Sequence, residues 1–246
     1  MPPSLKKNYT SLAGFYNVLM KNIDYSLWAK YLFEITHKYN ISVNNVLEIG
    51  GGNGKLANAL SRKFPHYYLS DKSFEFLADG KFKKNKICCD MNALPFKTNF
   101  NFVLAAFDTV NYLTSKKGFA QLLSGVSAIL NDDGVFTFDV SLENNSLVHL
   151  NGRKKVYDYD NQKIEHCSIY NKQSRIHTNE FIFNKDGKVI EKEIHKQKIF
   201  PFEFYIEQAA KSSFYIVDCL EAFGFRKGKS NSKRVQFILK KVKSYA

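Results

Sequence analysis

The stretch Asn45–Ala57, NVLEIGGGNGKLA, decides how the rest of the chain is read. Val46, Leu47 and Ile49 are β-formers suited to a buried parallel strand, and Glu48 puts one acid near its tip. Gly50, Gly52 and Gly54 then allow positive φ and a close approach of backbone to a ligand. Helix formers follow over Lys55–Leu60, so unpaired N–H groups at the helix start face whatever fills the turn. Such a turn suits the carboxylate and adenosine of a nucleoside cofactor. GNGKLA (Gly52–Ala57) equally fits the G-x-G-x-x-A form of the dinucleotide fingerprint, and a plain strand–turn–helix connection uses the same residues. Glu48, ahead of the first glycine, leans towards a ligand that carries an ammonium.

Outward from this turn, strands alternate with helical segments, the pattern of a parallel α/β sheet. Strands are expected at 46–50, 66–70, 86–89, 101–106 and 134–140, and helices at 54–63, 73–79 and 117–131, with Gly134 as a helix stop. Upstream, residues 11–39 carry apolar positions at spacings of three and four, broken near Asn22 and Asp24 by a new N-cap. Downstream, residues 153–200 mix β-branched and aromatic residues with charges, and Asn184-Lys185-Asp186-Gly187 reads as a hairpin turn. That segment predicts an antiparallel sheet with one wet face. The α/β pattern then resumes with a helix near 206–222, Gly224 as its stop, and a last strand at Val235–Lys240.

Ligands of open α/β sheets bind beyond the carboxyl ends of the strands, and the polar residues there follow in order. Asp71 stands where an acid accepts hydrogen bonds from both ribose hydroxyls, with Lys72 beside it; its alternative is a helix cap ahead of Ser73–Leu77. Asp90 can accept the amino hydrogens of an adenine on which Met91 packs, or serve only as a turn residue. Phe107, Asp108, Thr109, Asn111 and Tyr112 fall where the fourth strand opens onto the reacting group.

The pattern E-x-G-x-G-x-G (Glu48–Gly54) resembles the first motif of class I S-adenosylmethionine (SAM)-dependent methyltransferases. AAFDTVNYL looks like the D-S-x-N-Y-L segment of small-molecule members similar to the YqeM-type proteins and the sugar-amine N,N-dimethyltransferases. FYNVLMKNIDYSLWAKYL resembles that group's opening helices, and GVFTFDVS, EIHKQKIF, AFGF and SKRVQFILKK match its later landmarks in order, from about Tyr9 to Lys240. Asn17 departs from the group's usual acid after Tyr16, and Gly51 from its commoner Cys or Ala. The resemblance implies an α/β, Rossmann-like seven-stranded sheet whose last strand is antiparallel. It divides the chain into a cofactor domain (1–143 and 206–246, with a helical lid at about 9–39) and an inserted β-sheet over the acceptor pocket (144–205). It further implies methyl transfer from SAM to N or O of a small molecule, with S-adenosylhomocysteine (SAH) as coproduct.

On this basis Glu48, Gly50, Gly52, Gly54, Asp71, Lys72, Asp90, Met91, Phe107 and Asp108 are the candidate cofactor residues. His195, Asp108 and Tyr16 are the candidates for the chemistry; a base is needed only if the acceptor must shed a proton. Tyr25 and Trp28 can line an aromatic lid or simply fill core, and His166 and His177 share the inserted sheet with His195.

The chain has 246 residues, 44% of them hydrophobic, enough for a substantial core. Its net charge is +13, and eight basic residues with no acid follow Glu221. An anionic partner such as RNA, which would favour an RNA or protein methyltransferase, explains that excess; so does a solvated lysine-rich surface, which is preferred because arginine is sparse and no RNA-binding motif accompanies it. A non-catalytic nucleotide-binding module is a further alternative, opposed by the four acids Glu48, Asp71, Asp90 and Asp108. Four cysteines without C-x-x-C spacing indicate neither zinc nor a disulfide framework, and no apolar run approaches the roughly 20 residues of a membrane span. No metal and no membrane partner are expected, and a reduced, cytoplasmic setting is the default.

Overall fold

The computed structural model describes residues 12–97 and 100–242, so Tyr9 and Lys243 lie outside the described residues. Helices α1 (Leu12–Leu19) and α2 (Tyr25–Lys38) precede β1 (Asn45–Ile49), α3 (Lys55–Leu60), β2 (His66–Asp71), α4 (Phe74–Asp79), β3 (Lys86–Cys88) and β4 (Phe100–Ala105). Then come α5 (Lys116–Ile129), β5 (Leu130–Ser141), α6 (Glu143–Ser146), and four strands: β6 (Arg153–Tyr159), β7 (Gln162–Asn171), β8 (Ile176–Lys185) and β9 (Lys188–Lys198). Helix α7 (Phe202–Ala210), β10 (Phe214–Glu221) and β11 (Arg234–Lys241) complete the described order.

Seven strands form one sheet in the order β10-β11-β5-β4-β1-β2-β3. Strands β3, β2, β1, β4 and β5 run parallel, and β11 is antiparallel to both its neighbours. Strand pleat sends alternate residues to opposite faces. Leu47 and Ile49 therefore join the core under α5 and α7, while Val46 joins the one under α2 and α3. Polar side chains start the helices: Asp24 Oδ1 accepts from the N–H groups of Ser26 and Leu27 at 2.9 Å each, and Ser115 Oγ from Gly118 at 3.0 Å.

The expected helix at 206–222 is corrected. The helix ends at Ala210, and Phe214–Glu221 is the sheet's edge strand, paired antiparallel with β11. Its mixed apolar pattern fits either period locally; the free edge of β11 decides it, and Ser212 Oγ, 3.2 Å from the Phe214 N–H, helps break the helix. Gly224 accordingly follows a strand. Gly134 is not a helix stop either: α5 ends at Ile129, and Leu130 already pairs with Phe100 in a bulged entry to β5.

The second sheet, in the order β6-β7-β8-β9, is the expected antiparallel insertion, with its hairpin turn at Asp186-Gly187. Helix α1 packs on it, with Leu12 and Phe15 closing a small core against Ile164, Phe181 and Phe183. Helix α2 instead lies on the main sheet, burying Trp28, Tyr31, Leu32 and Ile35.

Candidate active site

The glycine turn joins β1 to α3 at the carboxyl end of the main sheet. Its glycines have different physical reasons. A Cβ on Gly50 would come within 2.3 Å of Thr109 Cγ2, one on Gly51 within 2.2 Å of Leu69 Cδ1, and one on Gly54 within 2.6 Å of Phe82 Cβ. These three permit close packing, and Gly51 is the departure that Leu69 and the inward Glu48 carboxylate require. Gly52 is the exception: at φ +56° a Cβ there meets nothing within 4 Å. The turn opens to space at this residue, whose N–H donates to Asp71 Oδ2 at 2.7 Å.

Glu48 lies behind the turn, 1% exposed, on the face shared with Val46. The Tyr67 hydroxyl donates to its Oε2 at 2.8 Å. Burial pushes its carboxyl up to about 8, against the lowering effect of the Tyr67 hydrogen bond. Asp71, at the tip of β2, uses both oxygens on backbone: Oδ2 for Gly52, Oδ1 for Ser73 N–H at 2.8 Å. Ser73, not Asp71, is the residue that caps α4. Burial raises the Asp71 carboxyl while those N–H groups pull it down. Lys72 and Asp90 form an exposed ion pair at 2.6 Å across the tips of β2 and β3. Although burial works to raise Asp90, Lys72 and the Asn92 N–H outweigh it and hold the carboxyl below its usual range. Met91 packs at the edge of the core beneath.

Beyond β4 the backbone takes two successive left-handed residues, Phe107 at φ 58° and Asp108 at φ 49°. Side chains other than glycine resist this conformation by roughly 1–2 kcal/mol each. The Phe107 ring meets Trp28 at 4.4 Å and Tyr25 at 5.4 Å between centroids. The Asp108 N–H donates to Asp139 Oδ2 at 2.9 Å, and its carboxylate accepts from Gln197 Nε2 at 2.8 Å and pairs with Arg234 Nη2 at 2.9 Å. Arg234 also pairs with Asp139, which is fully buried. Burial raises the Asp139 carboxyl to about 6 despite Arg234. Sequence reasoning missed Arg234, Asp139 and Gln197. One signal was present: an acid inside the apolar run GVFTFDVS demands a buried partner.

The inserted sheet reaches the end of β4 through Gln197, which donates to Asp108, and through the Lys198 carbonyl, which accepts from Asn111. His177, Asn179, Glu193, His195 and Gln197 share its inner face with His166 and Ser168. His195 is 1% exposed, with Nε2 3.3 Å from Glu193 Oε2 and its ring 6.4 Å from that of Tyr112. His177 lies between Ser146 and Ser168, at 3.2 and 2.9 Å, and burial drops it to about 4. Tyr16 stacks edge-on to Phe76 at 4.7 Å. Burial, then Tyr25, Tyr112, Asp71 and Asp108, holds its phenol well above the usual value. Asn17 accepts from Asn53 Nδ2 at 3.1 Å, tying α1 to the glycine turn. Asn111 bonds the Ser141 and Lys198 carbonyls at 3.2 and 2.9 Å, tying the two sheets together. The glycine turn, Asp71, Lys72, Asp90, Phe107 and Asp108 thus gather at the tips of β1 to β4. Glu48 sits behind them, and Tyr16 and His195 belong to α1 and β9.

No helix among the described residues is long and apolar enough to cross a membrane. Residues 22–176 match the family model described as a methyltransferase domain. YqeM of Bacillus subtilis (strain 168), named a candidate methyltransferase, is 25% identical, the match covering 96% of this chain and 98% of YqeM. An SAM-dependent methyltransferase from Clostridium acetobutylicum ATCC 824 superposes with a TM-score of 0.79 at 21% identity, over 95% of this chain and 99% of its own. SAM-bound CalS10, an amino pentose methyltransferase from Micromonospora echinaspora, gives a TM-score of 0.72 at 14% identity, over 97% of this chain and 100% of its own. Matched by the family model over more than half its length, the chain belongs to the methyltransferase domain family and has the SAM-dependent methyltransferase fold.

Proposed function

We propose that this protein binds SAM in the glycine turn and methylates a nitrogen or oxygen of a small molecule, releasing SAH. The observation that carries this is Gly52, the one turn glycine whose missing Cβ leaves open space, with Asp71 fixed beside it through the Gly52 N–H. That cradle fits a nucleoside bearing an amino-acid end. Each Asp71 oxygen keeps a further lone pair for a ribose hydroxyl after bonding backbone. Lys72 holds the Asp90 carboxylate at the adenine end, and Met91 supplies apolar contact there. Gly50 and Gly54 keep the turn tight against Thr109 and Phe82, and Glu48 supports it from behind through its hydrogen bond with Tyr67.

Bound SAM supplies a sulfonium methyl that departs to the acceptor's lone pair as sulfur takes the C–S electrons. The chain must align the acceptor with that bond and keep water out, a contribution worth several kcal/mol. Phe107, Tyr25 and Tyr16 offer aromatic faces suited to a cation that is discharged. Asp108, already bonded by Arg234 and Gln197, acts as an orienting acceptor, while His195, held by Glu193, is the group that takes a proton when one is shed. The polar inner face of the inserted sheet favours a small polar acceptor that fits beneath it. The fold shared with CalS10, an amino pentose methyltransferase, supports that class.

A thermal-shift panel of SAM, SAH, NAD and NADP tests this. Ligand at about 100 times its Kd adds roughly 2.7 kcal/mol, a rise of several degrees for a chain of this size. Shifts with SAM and SAH alone are expected; a shift with NAD only would overturn the assignment.

A further inference from the structure

Asp108 is held from three directions by groups that belong to three different elements. Arg234, at the start of β11, pairs with its Oδ1; Gln197, on β9 of the inserted sheet, donates to its Oδ2; and Asp139, on β5, accepts its backbone N–H. Arg234 also pairs with Asp139, so one guanidinium joins the carboxylate of β5 to that of the turn after β4. Its Cζ lies 5.8 Å from the Trp28 ring, which in turn packs on Phe107. These contacts converge on the two left-handed residues after β4, a conformation that persists only where its surroundings over-determine it. A planar, bidentate donor suits this place; a lysine could not face both carboxylates and the indole at once.

We infer that Arg234 and Gln197 are positioning residues for the methyl-transfer site: they clamp the Asp108 carboxylate from the main sheet and the inserted sheet, and so hold the Phe107–Asp108 turn in the shape the cofactor meets. This rests on the cofactor assignment made above. Arg234 acts through Asp108 rather than on the ligand. Gln197 makes the clamp depend on the inserted sheet, so the sheet that covers the acceptor also sets the geometry on the cofactor side.

Calorimetric titration of the full chain with SAH tests the inference through a double-mutant cycle. Arg234→Gln should weaken SAH by about tenfold or more, yet cost less than about twofold once Asp108→Asn is present, because coupled residues are not additive. Equal costs in both backgrounds, or no cost at all, would overturn the clamp. If Arg234→Gln fails to fold, Gln197→Glu decides. It sets a carboxylate against Asp108, and two carboxylates at that distance share a proton at low pH and repel at high pH. Asp139, Arg234, His177, Tyr16 and Tyr205 are the other charged or titratable neighbours of Asp108, and they stay the same in all the Gln197 variants. Relative to wild type, SAH affinity of Gln197→Glu should fall by about tenfold or more between pH 5.5 and 8, with Gln197→Leu showing no such trend. A parallel pH profile for both variants would sink the clamp. Failure of the wild-type chain to bind SAH at all would sink the cofactor assignment instead.

Discussion

Replacing Glu48 by Gln removes a buried acid whose carboxyl burial lifts to about 8. In the unfolded chain the same group titrates near 4.3. Between those values the folded state holds a proton that the unfolded state has lost, so stability falls as pH rises through the window, by about 1.4 kcal/mol per unit. Below the window both states are protonated, and above it both are ionised, with the full penalty in place. Integrated across the window, the buried charge costs about 3–5 kcal/mol by pH 8.5. Glutamine keeps an acceptor for the Tyr67 hydroxyl and the shape packed against Gly51, but carries no charge. Glu48→Gln should therefore exceed wild type by only about 1 kcal/mol at pH 5 and by several more above pH 8, there on the order of 10 °C in melting temperature. Urea or thermal melts of both proteins from pH 5 to 9, without ligand, measure the difference. A variant that is less stable at pH 8.5, or a difference that does not grow with pH, would show that the carboxylate is better solvated or paired than this geometry allows.

Asp71→Ala should largely abolish the thermal shifts produced by SAM and SAH, with the unliganded melting temperature as the control; an undiminished shift removes Asp71 from the ribose site. Gly52→Ala forces a Cβ into the left-handed region and into the open cradle, so it should cost about 1–2 kcal/mol of stability and weaken SAH by about tenfold in titration. His177 is neutral in the fold down to about pH 4 but takes a proton at about 6.5 when unfolded, so it makes stability fall as pH drops from 6.5 towards 4. Melts of His177→Gln should show a shallower loss over that acid range; an unchanged slope would place the burial effect elsewhere.

Much of the architecture was legible because local chemistry and tertiary packing agree. The apolar strand before the glycines, the Asp24 cap between the first two helices, and the Asp186-Gly187 hairpin each depend on neighbours within a few residues. Residues 211–222 were not legible for the opposite reason. Phe214–Glu221 becomes a strand only because β11 presents an unpaired edge, and β11 pairs there from the end of the described chain. In the site, the acids at the strand tips could be ordered from spacing alone. Their partners could not: Asp71 meets the Gly52 N–H, Lys72 meets Asp90, and Asp108 meets Arg234 across 126 positions of sequence.

By itself the amino-acid sequence determined the parallel α/β core of the main sheet, the glycine turn after its first strand and the presence of an inserted antiparallel sheet, since these rest on periodicity, turn residues and short spacings. Only the tertiary structure decided which glycine faces open space, that Glu48 sits behind the turn, and that Asp108 is clamped by Arg234 and Gln197. Those outcomes depend on burial and on side chains brought together from distant strands. Desolvation and ion pairing are properties of the assembled neighbourhood, and no local pattern encodes them.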